Sequence, residues 1–318
     1  MRILVVGAGA IGGYFGGRLL QAGRDVTFLV RERRAKELAR TGLVIKSPRG
    51  DFTRPAPPVI SAPALQAGYD LILLSCKAFD LAGAMQSFAP AAGLNTAILP
   101  LLNGMAHIDA LSARFGAAAV LGGECKISAA LDSEGRILHL SDFHELTFGE
   151  LDGRGSPRAA AIAAALEGAR FDVRLSDDIL YAMWEKWLFI AAAAGITSLL
   201  RGTVGDIVAA GAADLATALL DECAAIAAKH GFRPRQSVMH AGRAMLTAAG
   251  SDFTASMFRD IERGAPVEAK QIVGDLLARG STGTSPILRI VAAHLATYEA
   301  RRARQAHAAT PQVQGAPA

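Results

Sequence analysis

At 318 residues, 51% of them hydrophobic and 19% charged, the chain is long enough for two ordinary domains with full cores and too apolar to be disordered. Its net charge of +4 is dispersed and only 6% of residues are aromatic, a balance that favours anionic small molecules as ligands and argues against nucleic acid. Cys76, Cys125 and Cys223 are odd in number and far apart with no C-x-x-C, and the seven histidines show no ligand spacing, so the reading expects reduced thiols and no metal.

The chain opens on a short apolar run, Arg2 to Val6, that passes directly into Gly7-Ala8-Gly9-Ala10-Ile11-Gly12, after which Ile11, Phe15 and Leu19 recur at helical spacing. A strand, a tight turn and a helix in that order are the context in which G-x-G-x-x-G binds a dinucleotide. Gly7 allows the sharp turn, Gly9 lets a pyrophosphate lie on bare backbone, and Gly12 lets helix and strand approach closely. Phosphates would meet the helix N-terminus, where unpaired N–H groups converge. The other reading of the same residues is a structural glycine-rich turn. Gly23 stops the helix, and Asp25 to Val30 forms a second strand ending at Arg31-Glu32-Arg33-Arg34. NAD enzymes need an acid at that strand end for the ribose hydroxyls. Arg31 stands there instead, and a guanidinium suits a 2′-phosphate, so NADP is favoured over NAD, with a solvated basic loop as the alternative.

Leu43 to Thr53, with Pro48-Arg49-Gly50 in its middle, reads as a small hairpin. Tyr69 to Cys76 and Thr96 to Leu102 are continuous apolar runs, the pattern of strands buried on both faces of a parallel sheet. In a doubly wound sheet ligands bind at the carboxyl ends of strands, which places Lys77 and Asn103 within reach of cofactor or substrate. Val120 to Leu131, Arg136 to Ser141 and Glu145 to Gly149 read as strands that extend this sheet in antiparallel fashion. A helix from Ser156 to Gly168 and a strand from Phe171 to Leu175 complete a first domain, residues 1–175.

Beyond Ser176 only helical patterns remain: a helix capped by Ser176 or Asp177, then Thr203 or Gly205 to Ala210, Ala212 to His230, Gln236 to Ala249, Phe253 to Arg263, Pro266 to Arg279 and Pro286 to Arg302. The expected fold is therefore α/β: an N-terminal Rossmann-type doubly wound sheet, then an all-α domain over 176–302, with 303–318 as a disordered tail. The uncharged run Trp187 to Leu200 falls short of the roughly 20 residues that span a bilayer, and no signal-peptide pattern opens the chain, so a cytoplasmic protein without membrane contact is expected. Lys186 begins that apolar run, with Ile190 and Ala194 one and two turns further along its face. An ammonium held there is partly desolvated and a good proton donor, although a lysine snorkelling to water fits the same pattern. Glu268 follows the helix-opening Pro266 and is expected in a first turn, where capping alone would explain it. Ser256 and Asn103 are ambiguous taken singly.

Taken together, Gly7 to Gly12, Cys76-Lys77-Ala78-Phe79, Leu102-Asn103-Gly104-Met105, Trp184-Glu185-Lys186, Ala255-Ser256-Met257-Phe258-Arg259-Asp260-Ile261 and Pro266-Val267-Glu268 resemble the ketopantoate reductase (2-dehydropantoate 2-reductase) family over nearly the whole chain before the tail. The resemblance implies an NADPH-dependent reductase of 2-oxo acids. It implies that Gly7, Ala8, Gly9, Ala10, Ile11 and Gly12 hold the dinucleotide, with Arg31 and Lys77 on the NADP phosphates. It implies Asn103 beside nicotinamide and substrate, Lys186 as donor to the substrate carbonyl oxygen, Glu268 as the group positioning the substrate hydroxyl or Lys186, and Ser256 on the substrate carboxylate. The ketopantoate-specific pattern has asparagines where this chain has Ile190 and Ala194. Ketopantoate is thus the first substrate expected and a less polar 2-oxo acid the second. A non-catalytic NADP-binding sensor is the reading from another class, and a homodimer through the helical domain is plausible.

Overall fold

The computed structural model describes residues 1–281 and 283–309. The chain divides into two compact units, Met1–Met183 and the residues from Trp184 onward.

In the first unit the elements are β1 (Arg2–Val6), α1 (Ala10–Gln21), β2 (Asp25–Leu29), α2 (Glu32–Thr41), β3 (Leu43–Lys46), β4 (Phe52–Arg54), β5 (Val59–Ile60), β6 (Leu71–Leu74), α3 (Leu81–Phe88), β7 (Ala97–Pro100), α4 (Ala106–Phe115), β8 (Leu121–Leu131), β9 (Ile137–Glu150), α5 (Pro157–Leu166) and β10 (Asp172–Leu175). β1, β2, β5, β6 and β7 form one sheet in the order β5-β2-β1-β6-β7, and every pairing in it is parallel. Its inner strands are apolar throughout and covered on both faces: Ile3, Leu4 and Val5 and all of Leu71 to Leu74 are buried. The chain leaves β1 for β2 and β5 on one side and returns to β6 on the other. This reversal opens a crevice at the carboxyl ends of β1 and β6, where Gly7 and Ser75 stand.

The second half of this unit departs from the sequence expectation. The strands after residue 120 do not extend the first sheet. They build a second one, ordered β10-β9-β3-β4 with β8 paired to β9, and β9 runs unbroken over the stretch read as two strands. The hairpin expected at 43–53 forms as β3 and β4, but it belongs to this second sheet, where Ile45 pairs parallel to Ile137. The physical reason lies in α1. A Cβ on Gly16 would stand 2.6 Å from Phe28 of the first sheet, while one on Gly13 would stand 2.6 Å from Ile137 and one on Gly17 2.7 Å from Ile45, both of the second. Glycine on those faces lets a single helix pack against both sheets, and Gly12 to Leu19 are all buried. Glu32-Arg33-Arg34, for which a solvated basic loop was the alternative reading, open a helix over residues 32–41, with Arg31 at the N-cap.

The remaining elements are α6 (Ile179–Leu200), α7 (Val204–Ala209), α8 (Ala213–Lys229), α9 (Gln236–Leu246), α10 (Ser256–Glu262), α11 (Asp275–Arg279) and α12 (Pro286–Ala309). The boundary between the units falls inside α6 rather than at residue 175. By length and composition α6 is a possible membrane span, at 22 residues, but 67% of its most apolar window is buried inside the fold, as in a core helix. A Cβ on Gly195 would stand 2.9 Å from Leu219 of α8 and 3.1 Å from Val291 of α12, which marks the close packing of these three helices. A Thr203 capping box with Asp206 starts α7. The last helix runs past its expected end. α12 continues to Ala309, because Arg301-Arg302-Ala303-Arg304-Gln305-Ala306 are strong helix formers even without an apolar stripe, so residues 303–309 are not tail. Residues 310–318 lie outside the described residues.

Candidate active site

In the first unit the glycine turn is closed from within and open to the outside. Gly7 adopts φ +94°, a left-handed conformation that glycine accepts freely, and its N–H donates to the Leu29 carbonyl at 3.0 Å. A Cβ on Gly12 would lie 2.0 Å from Ser75 Oγ and 2.2 Å from the Gly7 carbonyl oxygen, so no side chain fits there. Gly9 is the contrast: it is the N-cap of α1, no side chain caps that helix end, and nothing lies within 4 Å of its would-be Cβ. A buried inner glycine and an open outer one, at a helix N-terminus, form a cradle that fits a pyrophosphate resting on the backbone of Ala8 to Ile11.

Two residues that the sequence reading missed hold this turn. Ser75, at the end of β6, donates its hydroxyl to the Val6 and Gly7 carbonyls at 3.0 and 3.1 Å. Arg34, in α2, donates from Nε to the Ala8 carbonyl at 3.0 Å, from Nη2 to the Gly135 carbonyl at 3.2 Å, and from Nη1 to Glu37 at 2.7 Å. The only sequence signal for Arg34 was its i,i+3 spacing to Glu37. Arg31 is mostly exposed and donates to Asp80 at 2.5 Å, and this contact raises the pKa of its guanidinium. Lys77, also exposed, starts the short turn that carries Asp80, so the two cations proposed for the cofactor phosphates come from neighbouring loops of one sheet edge. Such an exposed ion pair is worth about 0.2–1 kcal/mol and exchanges readily for a dianion. Asn103 follows β7, half-buried, beside Gly104 at φ +83°.

In the second unit Lys186 lies half-buried on α6 between two anchored neighbours. Glu185, buried, accepts the Arg235 backbone N–H at 2.9 Å and its guanidinium Nε and Nη2. Trp187, also buried, donates from its indole N–H to the Ile272 carbonyl at 2.8 Å, and the Ile272 N–H donates in turn to the Glu268 carbonyl at 2.9 Å. That relay joins the Lys186 helix to the Glu268 segment through residues far apart in sequence. Glu268 is expected in the first turn of a helix but stands immediately before it. The helix opens only at Ala269 and begins with a π-helical turn, Lys270–Gly274, a feature frequent at functional sites. The segment before it is pinned by α12, where Glu299 accepts the Val267 N–H at 2.8 Å and Tyr298 donates to the Ala265 carbonyl at 2.8 Å. Glu268 itself is 7% exposed. Ser256, exposed, is the first residue of α10 and precedes that segment in the chain. Ala194 is buried and Ile190 half-buried on α6.

The model of the ketopantoate reductase PanE/ApbA domain matches residues 3–153, and that of its C-terminal domain matches residues 178–299. The chain belongs to the ketopantoate reductase family. It is 38% identical over 305 residues to an oxidoreductase of Bacillus subtilis bearing the name "Uncharacterized oxidoreductase YkpB", covering 95% of this chain and 100% of that one. A solved 2-dehydropantoate 2-reductase of Geobacter metallireducens is 30% identical, with a TM-score of 0.85 over 93% of this chain and 99% of its own. D-mandelate dehydrogenase, solved with NADH and anilino(oxo)acetate, shares the fold at a TM-score of 0.84 and 21% identity over 95% of this chain and 100% of its own. As a ketopantoate reductase family member the chain is an oxidoreductase acting on CH–OH groups, on a Rossmann-like domain followed by a helical one.

Proposed function

We propose that this family member is an NADPH-dependent reductase of the ketone of a 2-oxo acid, with 2-dehydropantoate the first substrate and a less polar 2-oxo acid the alternative. The observation that carries this reading is the relay from Trp187 through Ile272 to Glu268, which gives Lys186 and Glu268 one rigid frame. The bound cofactor supplies the hydride. The residues of the chain do the rest: Gly7 to Gly12 seat the pyrophosphate, and Arg31 and Lys77 take the ribose 2′-phosphate. Lys186 holds a proton at the carbonyl oxygen, where negative charge builds as the carbon is reduced. Glu268 positions Lys186 or the substrate hydroxyl, Ser256 receives the substrate carboxylate, and Asn103 orients the reacting groups. The alternative substrate is favoured by Ile190 and Ala194, which offer no hydrogen bonds along the face of α6 that follows Lys186.

NADPH oxidation followed at 340 nm with 2-dehydropantoate and a panel of other 2-oxo acids tests this directly. Turnover of 2-dehydropantoate supports the first substrate, turnover only of apolar 2-oxo acids supports the second, and turnover of none removes the reductase reading. Arg31 gives a separate test of cofactor choice. Arg31→Ala is expected to raise the KM for NADPH about 10- to 100-fold while leaving that for NADH unchanged, since charge-assisted bonds to a phosphate contribute about 1.5–3 kcal/mol. Equal effects on both cofactors would show that Arg31 does not read the 2′-phosphate.

A further inference from the structure

We propose that Glu124 is an electrostatic element of the cofactor site, a buried carboxylate that favours the oxidised, cationic nicotinamide over the reduced, neutral one. The inference rests on the reading above that this chain binds NADP(H). The strand order locates it. Arg31 follows β2, the glycine turn follows β1, Lys77 lies beyond β6 and Asn103 beyond β7, so a dinucleotide laid across these ends, adenosine toward Arg31, brings its nicotinamide to the β7 edge. β8, a strand of the second sheet, starts beside that edge. Val120 bridges Ile98 in parallel, a Cβ on Gly123 would stand 2.5 Å from both Leu99 and the Pro100 carbonyl, and Cys125 Sγ lies 4.0 Å from the Leu101 carbonyl. β8 therefore advances beside β7 in the same direction, and Glu124 reaches the level of Leu101, just short of Asn103.

The side chain there is costly without a purpose. Glu124 is 4% exposed, and its Oε2 is buried with no hydrogen-bond partner among the described residues. Its Oε1 lies 3.4 Å from Lys126 Nζ, which stands closer to Glu145, at 3.1 Å. A buried carboxylate whose acceptors are half unused destabilises the fold unless some other positive group compensates it. A nicotinamide bound there would become such a group, since passing a hydride (a proton with two electrons) to the substrate carbon would leave it with one positive charge, while Lys186 would hold the proton for the carbonyl oxygen. Glu124 meets that new charge in a low-dielectric setting, and Lys126 tempers it.

The test compares dissociation constants of the full chain for NADP⁺, NADPH and 2′-phospho-ADP-ribose, which lacks the nicotinamide, by quenching of tryptophan fluorescence. Glu124→Gln keeps the shape and removes the charge. It is expected to weaken NADP⁺ about tenfold while NADPH and 2′-phospho-ADP-ribose stay within about twofold. Lys126→Met is expected to shift the NADP⁺/NADPH ratio in the opposite direction, which a merely structural role would not produce. An unchanged ratio in Glu124→Gln, or equal weakening of all three ligands, overturns the proposal. A wild-type chain that binds none of the three ligands overturns the reading of the cofactor, and the inference with it.

Discussion

Lys186→Ala is expected to reduce turnover about a thousandfold while the dissociation constant for NADPH stays within about twofold. Reducing a ketone places developing negative charge on its oxygen, and a preorganised cation beside that oxygen stabilises the transition state far more than the ground state. Lys186 is half-buried on a helix whose next residue, Trp187, is bonded to the Ile272 carbonyl in the turn after Glu268, so the ammonium does not have to be ordered as the reaction proceeds. The cradle proposed for the cofactor is the glycine turn after β1, which the substitution does not touch. Stopped-flow turnover and fluorescence titration of the same preparation separate the two effects. A variant with ordinary turnover would remove Lys186 from the chemistry, and one that lost NADPH affinity instead would make it a cofactor residue.

The second large effect comes from the two glycines that the structure sets in contrast. Gly12→Ala forces a Cβ to within 2.0 Å of Ser75 Oγ and 2.2 Å of the Gly7 carbonyl, and neither the backbone oxygen nor a hydroxyl already bonded to two carbonyls can yield. We expect a loss of about 3 kcal/mol in stability, together with loss of dinucleotide binding, because α1 must move away from β1. Gly9→Ala meets nothing within 4 Å and has φ −77°, which any residue adopts. Its melting temperature should therefore be nearly unchanged, with stability shifted by no more than about 0.5 kcal/mol. Its affinity for NADPH should nevertheless fall tenfold or more, since the methyl would occupy the space where pyrophosphate approaches the backbone. Thermal unfolding and fluorescence titration read the two quantities independently. Normal NADPH affinity in Gly9→Ala would mean that the open face of the turn is not where the phosphates lie.

Much of this architecture was legible before any coordinates. Gly7 to Gly12 announced the cradle because each glycine in that spacing answers a local steric demand. Leu71 to Leu74 announced a buried parallel strand because no polar residue interrupts it. The all-helical second unit was legible from apolar spacing and from Gly and Pro stops, all of which act within a few residues of the chain. The cations at Arg31, Lys77 and Lys186 stood out for the same reason, being placed at strand ends or beside an apolar run.

Local patterns along the chain therefore specify the elements and the chemistry they offer: a glycine turn fit for a dinucleotide, a parallel sheet, and a helical unit with a lysine beside an apolar run. How those elements combine is set by the fold. It put β3 parallel to β9 in a second sheet, set α1 between two sheets, bound Arg34 and Ser75 to the carbonyls of the glycine turn, moved Glu268 out of a helical turn, and tied it to Lys186 through Trp187 and Ile272. The physical reason is common to these cases. Each depends on a close approach across many residues, through a backbone carbonyl that every residue possesses or through a side chain that is absent. Neither leaves a periodic trace in the sequence.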